Sequence, residues 1–275
     1  MTIGDYDNDN AVFWSEPCGT NAANIQNLDL NDPSDVEEFD KWYIRTYPYL
    51  FDYLDKLNLT GASVLEIGVG LGTVSRYLVS RSKSVAFVDI APGALNFVRN
   101  TLPKESNVRY FCQSILEIEL QETFDFVIAV GSLHHTGDLD KALNVAESLT
   151  KKKGTLLIMI YYAFQPRRII FHPVRTFNEY FRSNLLVRNR QIIFAEQDSH
   201  LRAKADSNSA GKPAPYTAFS SRKIFSNRSG VTYKLRLNNF HRLPLVSRFI
   251  SRDFFLKYFS KYFGCDIYAI GRKSS

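Results

Sequence analysis

The chain has 275 residues, of which 45% are hydrophobic and 23% are charged, and its formal net charge is +6. This length is sufficient for one elaborated domain with a large core, and it excludes a minimal binding module. No apolar run of signal-peptide type or of membrane-spanning length is present, so we expect a soluble, cytoplasmic protein. Cys18, Cys112 and Cys265 are odd in number and far apart, which indicates neither a disulfide framework nor a zinc site.

The first 40 residues form a strongly acidic segment, with ten Asp or Glu and no Lys or Arg. An aromatic helix is predicted over residues 39–57. Its Tyr43, Arg45 and Tyr47 precede the first predicted strand, a position from which they would close over a bound ligand. We assign residues 1–60 to this acidic segment and covering helix.

A glycine loop joins the first predicted strand to an amphipathic helix. Residues 63–67 read as a short buried strand, residues 74–79 carry apolar side chains at helical spacing, and three glycines lie between them. These are Gly68, Gly70 and Gly72. Glycine is favoured there because it accepts positive φ and lets the backbone approach a ligand beside the free N–H groups of a helix start. The loop predicts a site for a nucleotide-type cofactor.

The spacing of the glycines argues against two common nucleotide sites. A dinucleotide loop has the form Gly-x-Gly-x-x-Gly, whereas here the third glycine follows the second by two positions and Thr73 comes next. A P-loop requires Gly-Lys-Ser/Thr after its glycines, and that stretch is absent. The loop therefore disfavours NAD and ATP.

A second predicted strand, residues 84–89, ends in a carboxylate. Asp89 lies 17 positions after Gly72, near the offset expected for an acid that bonds ribose hydroxyls. Two vicinal hydroxyls can donate to its two oxygens. The alternative is that Asp89 caps the helix that begins near Pro92.

The loop and the segments after it resemble class I S-adenosylmethionine-dependent methyltransferases. In that family an acid, here Glu66, precedes the glycines. Strands predicted at residues 108–112 and 124–130 are followed by Gly131-Ser132-Leu133-His134-His135, a stretch similar to one in small-molecule members of the ubiquinone- and menaquinone-methyltransferase type. The resemblance covers about residues 39–162 and includes a fifth strand near residues 155–160. It implies S-adenosylmethionine as cofactor, S-adenosylhomocysteine as product, and cofactor contacts from Glu66, Gly68, Gly70, Gly72, Thr73, Asp89, Ile90, Gln113, Ser114, Ile115, Val130 and Gly131.

One position departs from the family. After the third strand the family usually has an acid that bonds the adenine amino group, whereas this chain has Gln113, Ser114 and Ile115. Gln113 or Ser114 would accept the same hydrogen bond as a neutral group.

Alternating strands and helices predict parallel βαβ units that bind ligands at the carboxyl ends of the strands. The predicted fold class is α/β, a Rossmann-like doubly wound sheet of about seven strands. The resemblance implies that the last strand, near residues 265–272, is antiparallel and lies at the sheet edge. We assign residues 61–162 to the core, 163–230 to a helical cap insertion that gates the substrate, and 231–275 to a basic segment that completes the sheet.

Residues 222–273 contain twelve Lys or Arg and two acids, so nucleic acid is an alternative partner. The favoured interpretation is that the acidic and basic ends face each other or lie on separate solvated faces. Aromatic residues recur at helical intervals in residues 249–263, at Phe255, Tyr258, Phe259 and Tyr262. This spacing favours the core-facing stripe of a packed helix over a base-stacking surface.

His134 and His135 are the candidate catalytic residues, because imidazole exchanges protons near neutral pH. We predict that His135 faces the acceptor as a base or orienting donor; a histidine that fixes the loop is the alternative. Position alone suggests acceptor contacts from Tyr43, Arg45, Tyr47, Tyr161, Tyr162 and His200. No metal site is predicted.

The sequence thus predicts methyl transfer to a small or medium-sized acceptor, with oxygen favoured over nitrogen or carbon. RNA methylation through the basic end and a non-catalytic cofactor-binding or partner subunit are the alternatives. The identity of the acceptor and the oligomeric state do not follow from the sequence.

Overall fold

The computed structural model describes residues 3–104, 107–181, 193–195, 208–226, 228–240 and 251–275. Four helices precede the first strand: α1 (Ile3–Phe13), α2 (Thr20–Ile25), α3 (Pro33–Thr46) and α4 (Pro48–Leu54). The single helix predicted over residues 39–57 is wrong, because α3 ends at Thr46. Pro48 disfavours the helical conformation of the preceding residue, and Tyr47 adopts φ −123° and ψ 55°.

The central part of the chain alternates strands and helices. Its elements are β1 (Ser63–Ile67), α5 (Thr73–Val79), β2 (Ser84–Asp89), α6 (Pro92–Thr101), β3 (Val108–Cys112), β4 (Phe124–Val130), α7 (Leu139–Ser148) and β5 (Thr150–Tyr161). The first four strands have the predicted bounds, since each is a short β-branched or aromatic run between turn residues. Strand β5 begins earlier than predicted and passes a register irregularity near Phe124 of β4.

The remaining described elements are α8 (Pro166–Phe171), α9 (Pro173–Phe181), β6 (Ile193–Ala195), β7 (Ala218–Ser220), β8 (Val231–Asn238), α10 (Arg252–Tyr258), α11 (Ser260–Phe263) and β9 (Asp266–Lys273). Strands β6 and β7 form a separate antiparallel pair. The insertion between β5 and β8 therefore contains strands as well as the predicted helices.

The described strands of the main sheet have the order β3-β2-β1-β4-β5-β9-β8. Strands β1 to β5 are parallel, and β9 runs antiparallel to both of its neighbours. The seven strands and the antiparallel last strand are confirmed. The edge position predicted for that strand is wrong: β9 is almost continuously buried, as an internal strand requires, whereas β8 alternates between buried and exposed residues.

Apolar side chains cover both faces of the sheet, so the core has two layers. On one face, residues of α7 such as Leu143 pack with Leu65 of β1. On the other face, Leu78 of α5 and Val98 of α6 pack with Phe87 of β2. The strand order reverses between β1 and β4, which opens a crevice beyond their carboxyl ends.

The aromatic residues of the basic end do not form the predicted core-facing stripe. Phe255 is buried against Phe240, but Tyr258, Phe259 and Tyr262 are 48%, 37% and 62% exposed. The stripe fails because α10 ends at Tyr258 and α11 starts a new helix at Ser260, so the aromatic residues do not share one continuous helical face.

Ion pairs within the described residues do not join the acidic and basic ends. The buried guanidinium of Arg228 pairs with Asp140 and Glu147 of α7, and the ammonium of Lys273 donates to carbonyl oxygens that include that of Thr150. In the acidic segment, Asp40 pairs with Arg76 of α5.

Among the helices that the structure describes, none has the length and apolar character that a bilayer span requires.

Candidate active site

The glycine loop forms a tight backbone cradle at the end of β1. Gly68, Gly70 and Gly72 have φ values of 81°, 50° and 76°, in the left-handed region that glycine accepts. A Cβ at Gly68 would lie 2.3 Å from the Cβ of Ser132, in the loop after β4. A Cβ at Gly70 would lie 3.2 Å from the carbonyl oxygen of Cys18. The loop is thus closed by the Ser132 side chain at Gly68 and by the Cys18 backbone at Gly70, so neither position has room for a larger residue.

A carboxylate from α3 fixes the outer end of this loop. Asp40 accepts hydrogen bonds from the Thr73 hydroxyl at 2.5 Å and from Nε and Nη2 of Arg76 at 2.6 and 2.7 Å. The same guanidinium donates to the carbonyl oxygen of Leu71 at 2.7 Å. Charge-assisted bidentate bonds of this kind are strong and directional, so α3 and the glycine loop are held together.

Glu66, the acid before the glycines, is 3% exposed at the end of β1. Its Oε2 accepts a hydrogen bond from the Ser75 hydroxyl at 2.7 Å. Burial raises the pKa of Glu66 to about 8, against the opposing effect of that hydrogen bond. A cationic group of a ligand, such as an amino acid ammonium, would stabilise the ionised form of this buried carboxyl group.

Asp89 is held rigidly at the end of β2 by two backbone donors. Its Oδ2 accepts from the N–H of Val69 and its Oδ1 from the N–H of Ala91, both at 2.9 Å. Burial raises the pKa of Asp89 to about 6. Each oxygen keeps further lone-pair capacity, so the carboxylate fits a pair of vicinal hydroxyls. Helix α6 takes Ala91 as its N-cap residue, so the capping alternative for Asp89 is not what the structure shows.

His135 has a defined tautomer. Its Nδ1 lies 2.8 Å from the carbonyl oxygen of Tyr216, in the insertion between β5 and β8. A carbonyl oxygen only accepts, so Nδ1 carries a proton, and in the neutral form of the ring the lone pair therefore lies on Nε2. The ring packs 5.0 Å from that of Trp14, centroid to centroid.

His134 lies behind His135 and has no exposed surface. Its ring packs 4.2 Å from that of Tyr161 and 4.3 Å from that of His135. Burial, together with the neighbouring His135, lowers the pKa of His134 well below its usual range, so this ring is neutral. His134 does not line the cavity described below.

The acidic segment crosses the site. The Asn10 side chain donates to the carbonyl oxygen of His135 at 2.8 Å. Further along, Glu16 accepts from the backbone N–H and hydroxyl of Ser209 at 2.5 and 2.8 Å. A Cβ at Gly93 would lie 1.9 Å from the carbonyl oxygen of Ser15, so this segment also rests on the start of α6. The segment thus joins the cofactor loop to the insertion.

One cavity runs along the carboxyl edge of the sheet and is lined by every predicted cofactor-binding residue. The part near β1, β2 and β3, which we call the cofactor half, contains Glu66, the glycine loop, Asp89 and Ser114. The part near β4, β5 and β9, which we call the acceptor half, is lined by Trp14, Tyr43, Tyr47, Ser132, His135, Met159, Tyr161 and Tyr268.

Two of the described residues suggested for acceptor contact, Arg45 and Tyr162, do not line this cavity. Arg45 is exposed and pairs with Glu38 at 3.1 Å. Tyr162 packs instead on the opposite side of β5, where it lies 5.7 Å from the guanidinium of Arg222, because successive strand residues point to opposite faces. His200 lies outside the described residues.

Residues 65–158 match the family described as methyltransferase domain. The matched stretch runs from β1 into β5 and contains the glycine loop, Asp89 and His135. Its Rossmann-like fold is shared with the N-methyltransferase NodS from Bradyrhizobium japonicum, crystallised with S-adenosylhomocysteine, at a TM-score of 0.52 and 13% identity over 86% of this chain and 93% of NodS.

Two curated proteins resemble part of this chain in sequence. Malonyl-[acyl-carrier protein] O-methyltransferase of Acetivibrio thermocellus is 31% identical over 39% of this chain and 38% of its own length. Ubiquinone biosynthesis O-methyltransferase of Xanthomonas oryzae pv. oryzae is 30% identical over 40% of this chain and 48% of its own length. The matches span less than half the length of these relatives.

Proposed function

We propose that this protein transfers a methyl group from S-adenosylmethionine to a small or medium-sized acceptor, with oxygen as the favoured acceptor atom. The observation that carries the proposal is the single cavity shared by the glycine loop, Asp89 and His135. The names of both curated relatives, which are O-methyltransferases, support oxygen.

The cofactor half fits S-adenosylmethionine group by group. The glycine loop has no room for a side chain at Gly68, so backbone lines the cavity there. Asp89 would accept the ribose hydroxyls, and the Glu66 carboxylate would bind the amino group of the methionine end. When bound, S-adenosylmethionine supplies an electrophilic methyl group on sulfonium, and its loss leaves S-adenosylhomocysteine.

The acceptor half contributes alignment and a base. Holding the acceptor atom in line with the methyl group makes the reaction effectively unimolecular, which is worth roughly 7–11 kcal/mol. The Nε2 lone pair of His135 would take the proton of an acceptor hydroxyl, while Nδ1–H keeps its bond to the Tyr216 carbonyl and stabilises the imidazolium. We assign His134 a positioning role, since it fills the space between His135 and Tyr161.

The insertion over residues 163–230 is proposed to gate the acceptor half. It supplies the carbonyl oxygen that orients His135, and its Ser209 bonds to Glu16 of the acidic segment. Tyr43, Tyr47 and Tyr161 would then contact the acceptor inside the closed cavity.

RNA as acceptor is less well supported. Arg228 and Lys273, which contribute to the basic charge of residues 222–273, are bonded to groups of the same chain. An RNA-binding role predicts tRNA affinity that falls steeply with salt concentration, which a titration at two ionic strengths would measure.

Calorimetric titration of S-adenosylmethionine and S-adenosylhomocysteine tests the proposal, with NADH as the control ligand. We expect saturable binding of both sulfur ligands and none of NADH. Asp89→Ala should weaken binding by about 10²- to 10⁴-fold, because two hydrogen bonds to a charged acceptor are lost. A folded wild-type protein that binds neither sulfur ligand would overturn the proposal. Binding without turnover across an acceptor screen would favour the non-catalytic alternative.

A further inference from the structure

Directly after β3, where a purine would lie, the chain has Gln113, Ser114 and Ile115, with no acid before Glu117. Asp89 ends β2, and the N–H of Gln113, just after β3, donates to the Asp89 carbonyl oxygen at 3.1 Å. Neighbouring strands are about 4.8 Å apart, so a nucleoside whose ribose binds Asp89 places its base over the end of β3. The buried side chain of Ile115 provides an apolar surface there, and Gln113 and Ser114 are the polar residues that this segment contributes.

The Ser114 hydroxyl already donates one hydrogen bond and accepts another. It donates to the carboxylate of Asp7 and accepts from the N–H of Leu116 at 3.2 Å. A hydroxyl has one donor and two lone pairs, so one lone pair remains. The carboxylate of Asp7 accepts only, at about four lone-pair sites, and so has most of the acceptor capacity at this end of the cavity.

Asp7 is brought to this point by α1. The helix is held by the hydrogen bond from Asn10, one turn further along, to the His135 carbonyl oxygen. Asp7 lines the cavity together with Gln113 and Ser114. Partial burial raises the pKa of Asp7, the Ser114 hydrogen bond opposes this change, and the charges of Glu117 and Lys141 act in opposite directions. The Asp7 side chain is thus partly buried and lines the cavity.

We propose that Asp7 recognises the exocyclic amino group of the cofactor's purine, and so provides from α1 the acid that is missing after β3. This inference rests on the proposed function. An amino group donates to the Asp7 carboxylate. A 6-oxo group in its place only accepts, so its oxygen and the carboxylate would face each other without a hydrogen between them. The acidic segment then determines cofactor specificity as well as covering the site.

The test compares S-adenosylhomocysteine with S-inosylhomocysteine, which has an oxygen in place of the purine amino group. Dissociation constants are measured by calorimetry for the wild type and Asp7→Asn. Asp9→Asn, an exposed aspartate of the same helix, is the matched control. Ser114→Ala removes the neighbouring hydroxyl and keeps the Asp7 carboxylate.

We expect the wild type to prefer the amino ligand by about 10- to 100-fold, the value of a hydrogen bond to a charged group. Asp7→Asn should remove most of that preference, because an amide can accept from the amino group and donate to the oxo group. Asp9→Asn should retain it. Ser114→Ala should lower it by less than Asp7→Asn does, because the Ser114 hydroxyl only holds the Asp7 carboxylate. An unchanged preference in Asp7→Asn would overturn the inference, as would a larger loss in Ser114→Ala than in Asp7→Asn. If the wild type binds neither ligand, the proposed function itself fails.

Discussion

The two halves of the cavity are built in different ways. In the cofactor half, Glu66, Gly68 and Asp89 each lie at or next to the end of a strand, so the local chain fixes their positions. In the acceptor half, Trp14, His135 and Tyr268 come from segments far apart in the chain, and only the tertiary fold brings them together. Local sequence spacing thus determines one half of this cavity, and long-range packing determines the other half.

The same contrast extends to the groups that orient the site. Asp89 is oriented by N–H groups two residues after it and in the neighbouring loop. His135 is oriented by the Tyr216 carbonyl, 81 positions away. We therefore expect substitutions in the cofactor half to change ligand binding, and substitutions in the acceptor half to change turnover.

Substitution of His135 should have the largest effect. In His135→Gln the amide cannot take a proton at neutral pH, so turnover should fall by about 10²- to 10⁴-fold. Formation of S-adenosylhomocysteine with an acceptor identified by screening would measure this loss. Affinity for S-adenosylhomocysteine should stay unchanged, because His135 belongs to the acceptor half. Full turnover in the variant would rule out a base at this position.

A substitution in the glycine loop tests the role of the cofactor half. Gly68→Ala should abolish cofactor binding and lower the free energy of unfolding by about 2–4 kcal/mol, from positive-φ strain plus the contact with Ser132. Calorimetry and thermal unfolding measure the two effects. Gly61→Ala is the control, since Gly61 has φ +74° but no atom within 4 Å of its added Cβ. It should cost only the strain, about 1–2 kcal/mol, and leave binding intact. Equal effects at both glycines would contradict a cradle that closes on the ligand.

The pH dependence of cofactor affinity should show a smaller effect. With its pKa raised to about 8, Glu66 is mostly protonated at pH 7 in the ligand-free protein. A bound ammonium group would favour the carboxylate, so binding should release a proton, and affinity should rise with pH until about pH 8, by at most about tenfold per pH unit. Calorimetry in buffers of different ionisation enthalpy counts the protons released.

Two controls isolate the Glu66 contribution. The analogue 5′-methylthioadenosine lacks the amino acid end, so its affinity should not follow this pH dependence. Glu66→Gln should remove the proton release for S-adenosylhomocysteine. Proton release that persists in Glu66→Gln would assign the titration to another group.

What the sequence predicts follows the same division. The bounds of β1 to β4 follow from short local runs of the sequence, and the cofactor contacts that the family resemblance implied all line the cavity. The hydrogen bonds of Asp40 to Thr73 and Arg76 do not follow from the sequence, because an acid 33 positions before Thr73 has no periodic relation to the glycine loop. The Tyr216 carbonyl was missed because a backbone group has no residue-type signature. Strand alternation, however, already implies that Tyr161 and Tyr162 face opposite sides.

The position of β9 inside the sheet has a consequence for how the protein folds. Arg272 on β9 bonds to Thr155 on β5 across a separation of 117 residues, whereas the register of β1 and β2 starts with Ser63 beside Ser84. Closing long chain segments is entropically costly and slow, so we expect β9 to dock after the parallel strands have formed. Tyr268 belongs to β9, so we expect the part of the cavity wall that it forms to be completed late in folding.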